Sequence, residues 1–174
     1  MGVDIIASKP RTAQVRTALD EKSANGAFIR RDAAWRDAVS ASPNAKFPAE
    51  PDRYHLFLAY ACPWAHRTNM VRVLKGLEDV VTVTFVMPVW KKTKPDDVED
   101  KHTGWVFADP DGTPYKNTIG LGGPFPASSP KNEPEPFYGS KSVRELYERA
   151  GDTDGKYSVP ILWDKKLNTI VSNE

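Results

Sequence analysis

Cys62 is the one cysteine of the chain, and it stands in the run Ala61-Cys62-Pro63-Trp64-Ala65-His66-Arg67. A thiolate is the nucleophile of sulfur chemistry. It is favoured at a helix start, where unpaired backbone N–H groups and the positive end of the helix dipole face it. Pro63 suits the first helical position, and His66 and Arg67, one turn further on, would add positive potential. Position alone fits a second reading equally well, a small apolar residue held between Ala61 and Pro63, because free cysteines are commonly buried and inert. Where a dithiol motif carries its second cysteine, this chain has Ala65. A mixed disulfide on Cys62 therefore requires an external thiol to resolve it, and glutathione is the abundant cytosolic candidate. The second feature is Val159-Pro160, at the start of an apolar run after a glycine turn. X-Pro bonds alone have an inexpensive cis form, and a cis Pro160 would leave the Val159 N–H and C=O free to pair with an extended peptide. A trans proline that opens a strand is the alternative.

These residues need elements to hold them. Tyr54–Tyr60 (YHLFLAY) is almost continuously apolar and aromatic, as expected for a strand buried on both faces. Cys62-Pro63 ends it. Behind Pro63, WAHRTNMVRVLKGLED has helical periodicity, with Met70, Val73, Leu74 and Leu77 on one face and Arg67, Arg72 and Lys75 elsewhere. Val80–Met87 is a β-branched run and so a second strand. Strand, helix and strand in this order predict a βαβ unit with parallel pairing. Ser142–Ala150 reads as a short amphipathic helix closed by Gly151 and Gly155. Val159–Trp163 and Leu167–Val171, separated by Asp164-Lys165-Lys166, read as an antiparallel hairpin.

Between the βαβ unit and the second helix the pattern breaks. Residues 88–138 hold 9 of the chain's 15 prolines, which predicts a long inserted loop. Residues 1–52, with Phe28, Trp35, Arg30 and Arg31 among small polar residues and prolines, read as a wrapping arm whose arginines lie on the domain surface. This leaves residues 53–174 as the α/β domain.

Several function classes are excluded. Lys and Arg number 24 against 23 Asp and Glu, so the positive balance of a nucleic-acid binder is missing. No apolar stretch approaches the roughly 18 residues of a membrane helix. The first residues lack the apolar core of a signal peptide, and Ile6 stands where a myristoylation signal needs Ser or Thr. A lone cysteine cannot build a disulfide framework within the chain and points to a reducing compartment, the cytoplasm. His55, His66 and His102 do not have metal-ligand spacing with Cys62, so no metal is expected. Gly120-Leu121-Gly122-Gly123 is followed by Pro124 and Pro126 instead of a helix, which argues against a phosphate loop.

The order strand, Cys-Pro at a helix start, strand, helix, Val-Pro and hairpin resembles the thioredoxin-like N-terminal domain of glutathione transferases. Three blocks resemble more closely the glutathionyl-hydroquinone reductases, or xi-class glutathione transferases, relatives of the omega class. They are RYHLFLAYACPWAHRTNMVRVLKGLEDVV, Gly104-Trp105-Val106-Phe107, and YSVPILWDKKLNTIVSNE. The resemblance spans about residues 28–174 and is weak in 110–140.

This resemblance implies glutathione as co-substrate, glutathionylated quinols as substrates, no metal or nucleotide, and homodimers for full-length members. It implies that Cys62 attacks the glutathione sulfur, that Trp105 packs over glutathione, and that Val159 pairs with its cysteinyl backbone. Pro63 and Pro160 then shape the site, and Glu174 binds the γ-glutamyl end. Lys156 stands where the family usually has arginine. It keeps the charge for a glycyl carboxylate but loses the bidentate fork, so weaker glutathione binding is expected. In the family the glutamate is followed by serine, a third helix and an all-helical domain. These lie outside the present sequence, and one sheet face is expected to lack its cover. Alternative functions are a truncated or vestigial glutathione-binding module, and reduction of dehydroascorbate or protein mixed disulfides as in omega-like enzymes.

Overall fold

A computed structural model describes residues 15–16, 21–116, 122–129 and 131–174. Ile6, Gly120 and Leu121 lie outside the described residues. The elements are β1 (Tyr54–Leu58), α1 (Pro63–Leu74), β2 (Val81–Phe85), β3 (Trp90–Lys92), β4 (Thr103–Trp105), α2 (Val143–Arg149), β5 (Ile161–Asp164) and β6 (Thr169–Ser172). Each expected helix and strand is present, β1 and α1 starting at Tyr54 and Pro63 as expected and most other ends shifted by one or more residues. The expected strand at Val159 starts at Ile161 instead, and α1 stops at Leu74, short of Leu77.

The main sheet has the order β2-β1-β5-β6. β1 and β2 are parallel, as a right-handed βαβ crossover requires, while β5 and β6 pair antiparallel. Side chains alternate across this sheet. Phe57 lies opposite Ile161 and His55 opposite Trp163, so one face carries this aromatic and aliphatic set. There Phe57, Ile161, Trp163 and Ile170 form a cluster with Val143, Leu146 and Tyr147 of α2 and with Phe107. The short helix is thereby placed: its apolar side chains fill the sheet, and Gly151, at φ 79°, closes it in a conformation that glycine adopts without steric cost.

The opposite face is partly open. An apolar groove of about 560 Å³ runs between the sheet and α1, lined by Tyr54, Leu56, Leu162, Val71 and Leu77 among others. The apolar face of α1 differs from the usual buried stripe: Met70, Val73 and Leu74 are exposed, the last at 82%, and Ala65 is the buried residue of the helix. Helical periodicity identifies a helix, but burial of its stripe depends on what packs against it.

Residues 88–138 are not simply a loop. β3 and β4 form a two-stranded antiparallel sheet, and Met87, Val89, Val106 and Ala108 make a small core with Tyr115 and Phe125 against it. Asn132 Nδ2 donates to the Val86 carbonyl at 2.7 Å, tying the far part of the segment to the end of β2. Nor is the arm only a wrapping. Phe47 is buried with Tyr54 and Val171, and residues 35–37 run beside the β6 edge. The Asp37 N–H donates to the Val171 carbonyl, and the Asn173 N–H donates to the Trp35 carbonyl. Covering an edge strand in this way satisfies backbone groups that would otherwise be open to pairing with another chain.

His55 is buried inside β1, with Nδ1 2.7 Å from Thr82 Oγ1 and its ring edge-on to Phe57 and Phe137. Nε2 has no partner among the described residues. Burial first, and then the charges of Lys165 and Arg72, lower its pKa from 6.5 to about 3. Between these values the unfolded chain takes up a proton that the folded chain refuses, so the stability His55 permits above pH 6.5 is lost as pH falls. We expect roughly 2–3 kcal/mol to disappear between pH 6.5 and pH 4.5, at about 1.4 kcal/mol per unit. Urea unfolding across this range is the measurement. His55→Leu should flatten most of the slope, and an equal slope in the variant would contradict the assignment.

Candidate functional site

Cys62 is the N-cap of α1, extended at φ −104° and ψ 117°, and Pro63 begins the helix. The break from strand to helix is local chemistry: proline cannot continue the β1 ladder, but its fixed φ suits the first turn. The Cys62 side chain does not accept a capping hydrogen bond. Instead Sγ lies 3.5 Å from the Val159 carbonyl, toward which the thiol donates. The Val159–Pro160 peptide is cis. Among the described residues the Val159 N–H donates to no backbone carbonyl. Thus the thiol and the Val159 backbone stand side by side, brought together from positions 97 residues apart.

A cavity of about 290 Å³ opens beside this pair. Its walls include Lys156, Val159, Pro160 and Glu174, together with Trp64, Arg67, Glu21 and Arg30. Four of the residues singled out in the sequence therefore meet in one place. Cys62 borders the cavity through Val159 without being one of its wall residues, and Trp105 is not among them either. Trp105 sits in β4, half-buried against the main core and edge-on to Trp90 at 5.6 Å. His66 is exposed and also absent from the walls.

One hub holds the two sides of the cavity. Tyr147 of α2 is fully buried, and its hydroxyl donates to the Ser158 carbonyl at 3.0 Å while accepting from Asn173 Nδ2 at 2.9 Å. Burial raises its pKa to about 12 against the hydrogen bonds from Ser158 and Asn173, so it remains a donor at neutral pH. Asn173 Oδ1 in turn accepts from the Trp35 N–H, and Trp35 Nε1 donates to Asp152. Ser158 precedes Val159, and Asn173 precedes Glu174. The same tyrosine thereby fixes the spacing between the backbone edge and the carboxylate.

No local pattern marks Trp64, Glu21 or Arg30 as a wall residue. Arg30 and Arg67 lie 5.9 and 5.7 Å from the Trp64 ring, a cation–aromatic cluster on the rim. Trp64 and Arg67 fall inside the block Cys62–Arg67, which stands out in the sequence through its lone cysteine and proline. Glu21 gave no local signal, because its partner Lys156 is 135 residues away. Arg30 and Arg31 do lie on the domain surface, as expected, and both face this cavity.

The site holds opposite charges at separate points, a thiol, and a backbone edge, which together can take a short zwitterionic peptide that carries sulfur. Among the described residues no group of three or more His, Cys, Asp and Glu is arranged to hold a metal, and no helix is long and apolar enough to cross a membrane.

Residues 61–174 match the family described as glutathione S-transferase, N-terminal domain. Over 157 residues the chain is 38% identical to glutathione S-transferase omega-like 2 of Schizosaccharomyces pombe, covering 89% of this chain and 40% of that protein. It is 36% identical over 162 residues to glutathionyl-hydroquinone reductase YqjG of Escherichia coli, covering 89% of this chain and 41% of the other. The glutathione-bound structure of that bacterial protein superposes with a TM-score of 0.60 at 34% identity, over 81% of this chain and 39% of its own. The chain thus spans about two fifths of the length of these relatives. Its sheet order, cis Val159–Pro160 and cysteine at the first helix start are the thioredoxin-like arrangement, and the chain belongs to the glutathione S-transferase family through that family's N-terminal domain.

Proposed function

We propose that this chain carries the glutathione site and nucleophile of a glutathione-dependent thiol-transfer reductase acting on glutathionyl-hydroquinones. The observation that carries the reading is the placement of the Cys62 thiol at a helix start, beside the Val159 backbone and a cavity with Lys156 and Glu174 in its walls. The helix start favours the thiolate. Val159 pairs with the cysteinyl backbone of glutathione in the manner of an added strand. Lys156 takes the glycyl carboxylate, and Glu174 takes the γ-glutamyl ammonium. Trp105, outside the cavity walls, closes over the peptide only by moving from its place in β4. Pro63 and Pro160 shape the two ends of the thiol's surroundings.

The chemistry is two thiol exchanges. The Cys62 thiolate attacks the sulfur of the glutathionyl-hydroquinone, an S–S bond forms, the carbon–sulfur bond breaks, and the ring carbon takes a proton to give the hydroquinone. A second glutathione thiolate attacks the mixed disulfide, leaving as glutathione disulfide and restoring the Cys62 thiolate. The ring is reduced by two electrons, and two glutathione sulfurs are oxidised.

Residues 53–174 form the reacting domain and residues 1–52 an arm laid on it, in a protein working in the cytoplasm where glutathione is reduced. The test is to incubate the 174-residue chain with glutathionyl-menadiol and glutathione. Release of menadiol with one glutathione disulfide per turnover is expected. A chain that takes glutathione onto Cys62 but releases no menadiol would be a glutathione-binding module, and a chain doing neither would refute the reading.

A further inference from the structure

Lys156 and Glu174, the two charged residues assigned to the ends of glutathione, both have partners of opposite charge from the N-terminal arm. The Lys156 ammonium is ion-paired with the Glu21 carboxylate. Glu174 is paired with Arg36 Nε at 3.1 Å, with Arg30 at 3.9 Å. Glu21, Arg30, Lys156 and Glu174 all line the same cavity. Glu21 is 6% exposed, a degree of burial that a carboxylate reaches only when it is paired.

Glu21 is held there by its own segment. The Ile29 N–H donates to the Glu21 carbonyl, and the Lys22–Phe28 bridge closes the intervening turn. Further along, Trp35 ties the arm to Asn173 and Asp152. The arm therefore presents a carboxylate to the cation and a guanidinium to the anion. This repeats the order of charges in γ-glutamyl-cysteinyl-glycine, whose glycyl end is a carboxylate and whose γ-glutamyl end bears an ammonium.

We propose that the arm is an internal charge mimic of glutathione, and that Glu21 sets how strongly this cavity selects thiols carrying a free glycyl carboxylate. The proposal rests on the reading of the cavity as the glutathione site. Glutathione must displace Glu21 from Lys156 before its own carboxylate can bind, so the apparent dissociation constant is the intrinsic one divided by the fraction of time Lys156 is free. A ligand whose glycyl carboxylate is esterified does not need Lys156 and is not subject to this competition.

The experiment compares reduced glutathione with its glycyl monoethyl ester by titration calorimetry, on the 174-residue chain and on Glu21→Gln. The native chain should discriminate little between the two. The variant should bind glutathione about fivefold or more tightly while its affinity for the ester stays unchanged. Equal or weaker glutathione binding by the variant would overturn the proposal, and so would tightening of both ligands alike, which would mean that Glu21 only obstructs. In the native chain, glutathione binding tenfold or more tighter than the ester would overturn it without recourse to a variant. If neither protein binds either ligand, the glutathione site itself is misplaced, and the proposal falls with the reading beneath it.

Discussion

Cys62→Ser is expected to lower glutathione-dependent release of menadiol more than about a hundredfold, to the uncatalysed level. Oxygen cannot take the place of sulfur in a mixed disulfide, the serine hydroxyl is not ionised near neutrality, and the chain has no second cysteine to take over. The substitution is nearly isosteric at a half-buried N-cap whose side chain makes one long contact, to the Val159 carbonyl at 3.5 Å. Far-ultraviolet circular dichroism and the thermal midpoint should therefore change little. Loss of activity with the fold intact is the expected result. Turnover retained in the variant would mean that glutathione itself, or another group, does the chemistry.

Trp163→Ala should have the largest effect on stability. Trp163 heads the fully buried side chains by volume, and its ring packs between the sheet and Tyr138 from the inserted segment. Its Nε1 also donates to the Tyr138 hydroxyl at 3.1 Å. Removing a buried aromatic ring costs about 3–5 kcal/mol through lost transfer energy and the cavity left behind. Domains are commonly stable by only about 5–15 kcal/mol, so the variant should be close to unfolding at ambient temperature. Urea titration measures it directly. A shift below about 1 kcal/mol would show that the segment around Tyr138 collapses into the space, which Trp163→Phe would then tolerate as well.

What the sequence disclosed follows a physical rule. Cys62, Pro63 and the helix behind them were legible because a proline, a change of period and a lone reactive side chain coincide within a few residues. The βαβ unit and the closing hairpin were legible for a similar reason, since β-branched runs and a short polar turn act locally. β3 and β4 were not, because strands of three residues, Trp90-Lys91-Lys92 and Thr103-Gly104-Trp105, have no period to detect and the surrounding prolines dominate. The exposed stripe on α1 shows the limit of periodicity, which gives a helix its apolar face without saying what covers it. The pairing of Glu21 with Lys156 and of Arg36 with Glu174 depends on the arm returning across the finished domain, and no local pattern encodes that. Lys156, Val159, Pro160 and Glu174 line one cavity, whereas Trp105 lies apart from it in its own small sheet.

The central claim is that Cys62 carries glutathione between two partners, and a single turnover reads this most directly. The chain is mixed with one equivalent of glutathionyl-menadiol in the absence of free glutathione, and intact mass and peptide mapping follow. One glutathionyl group on Cys62, formed together with one equivalent of menadiol and removed on adding glutathione, is the predicted result. Menadiol release with no adduct on Cys62, or no adduct and no release, would contradict it.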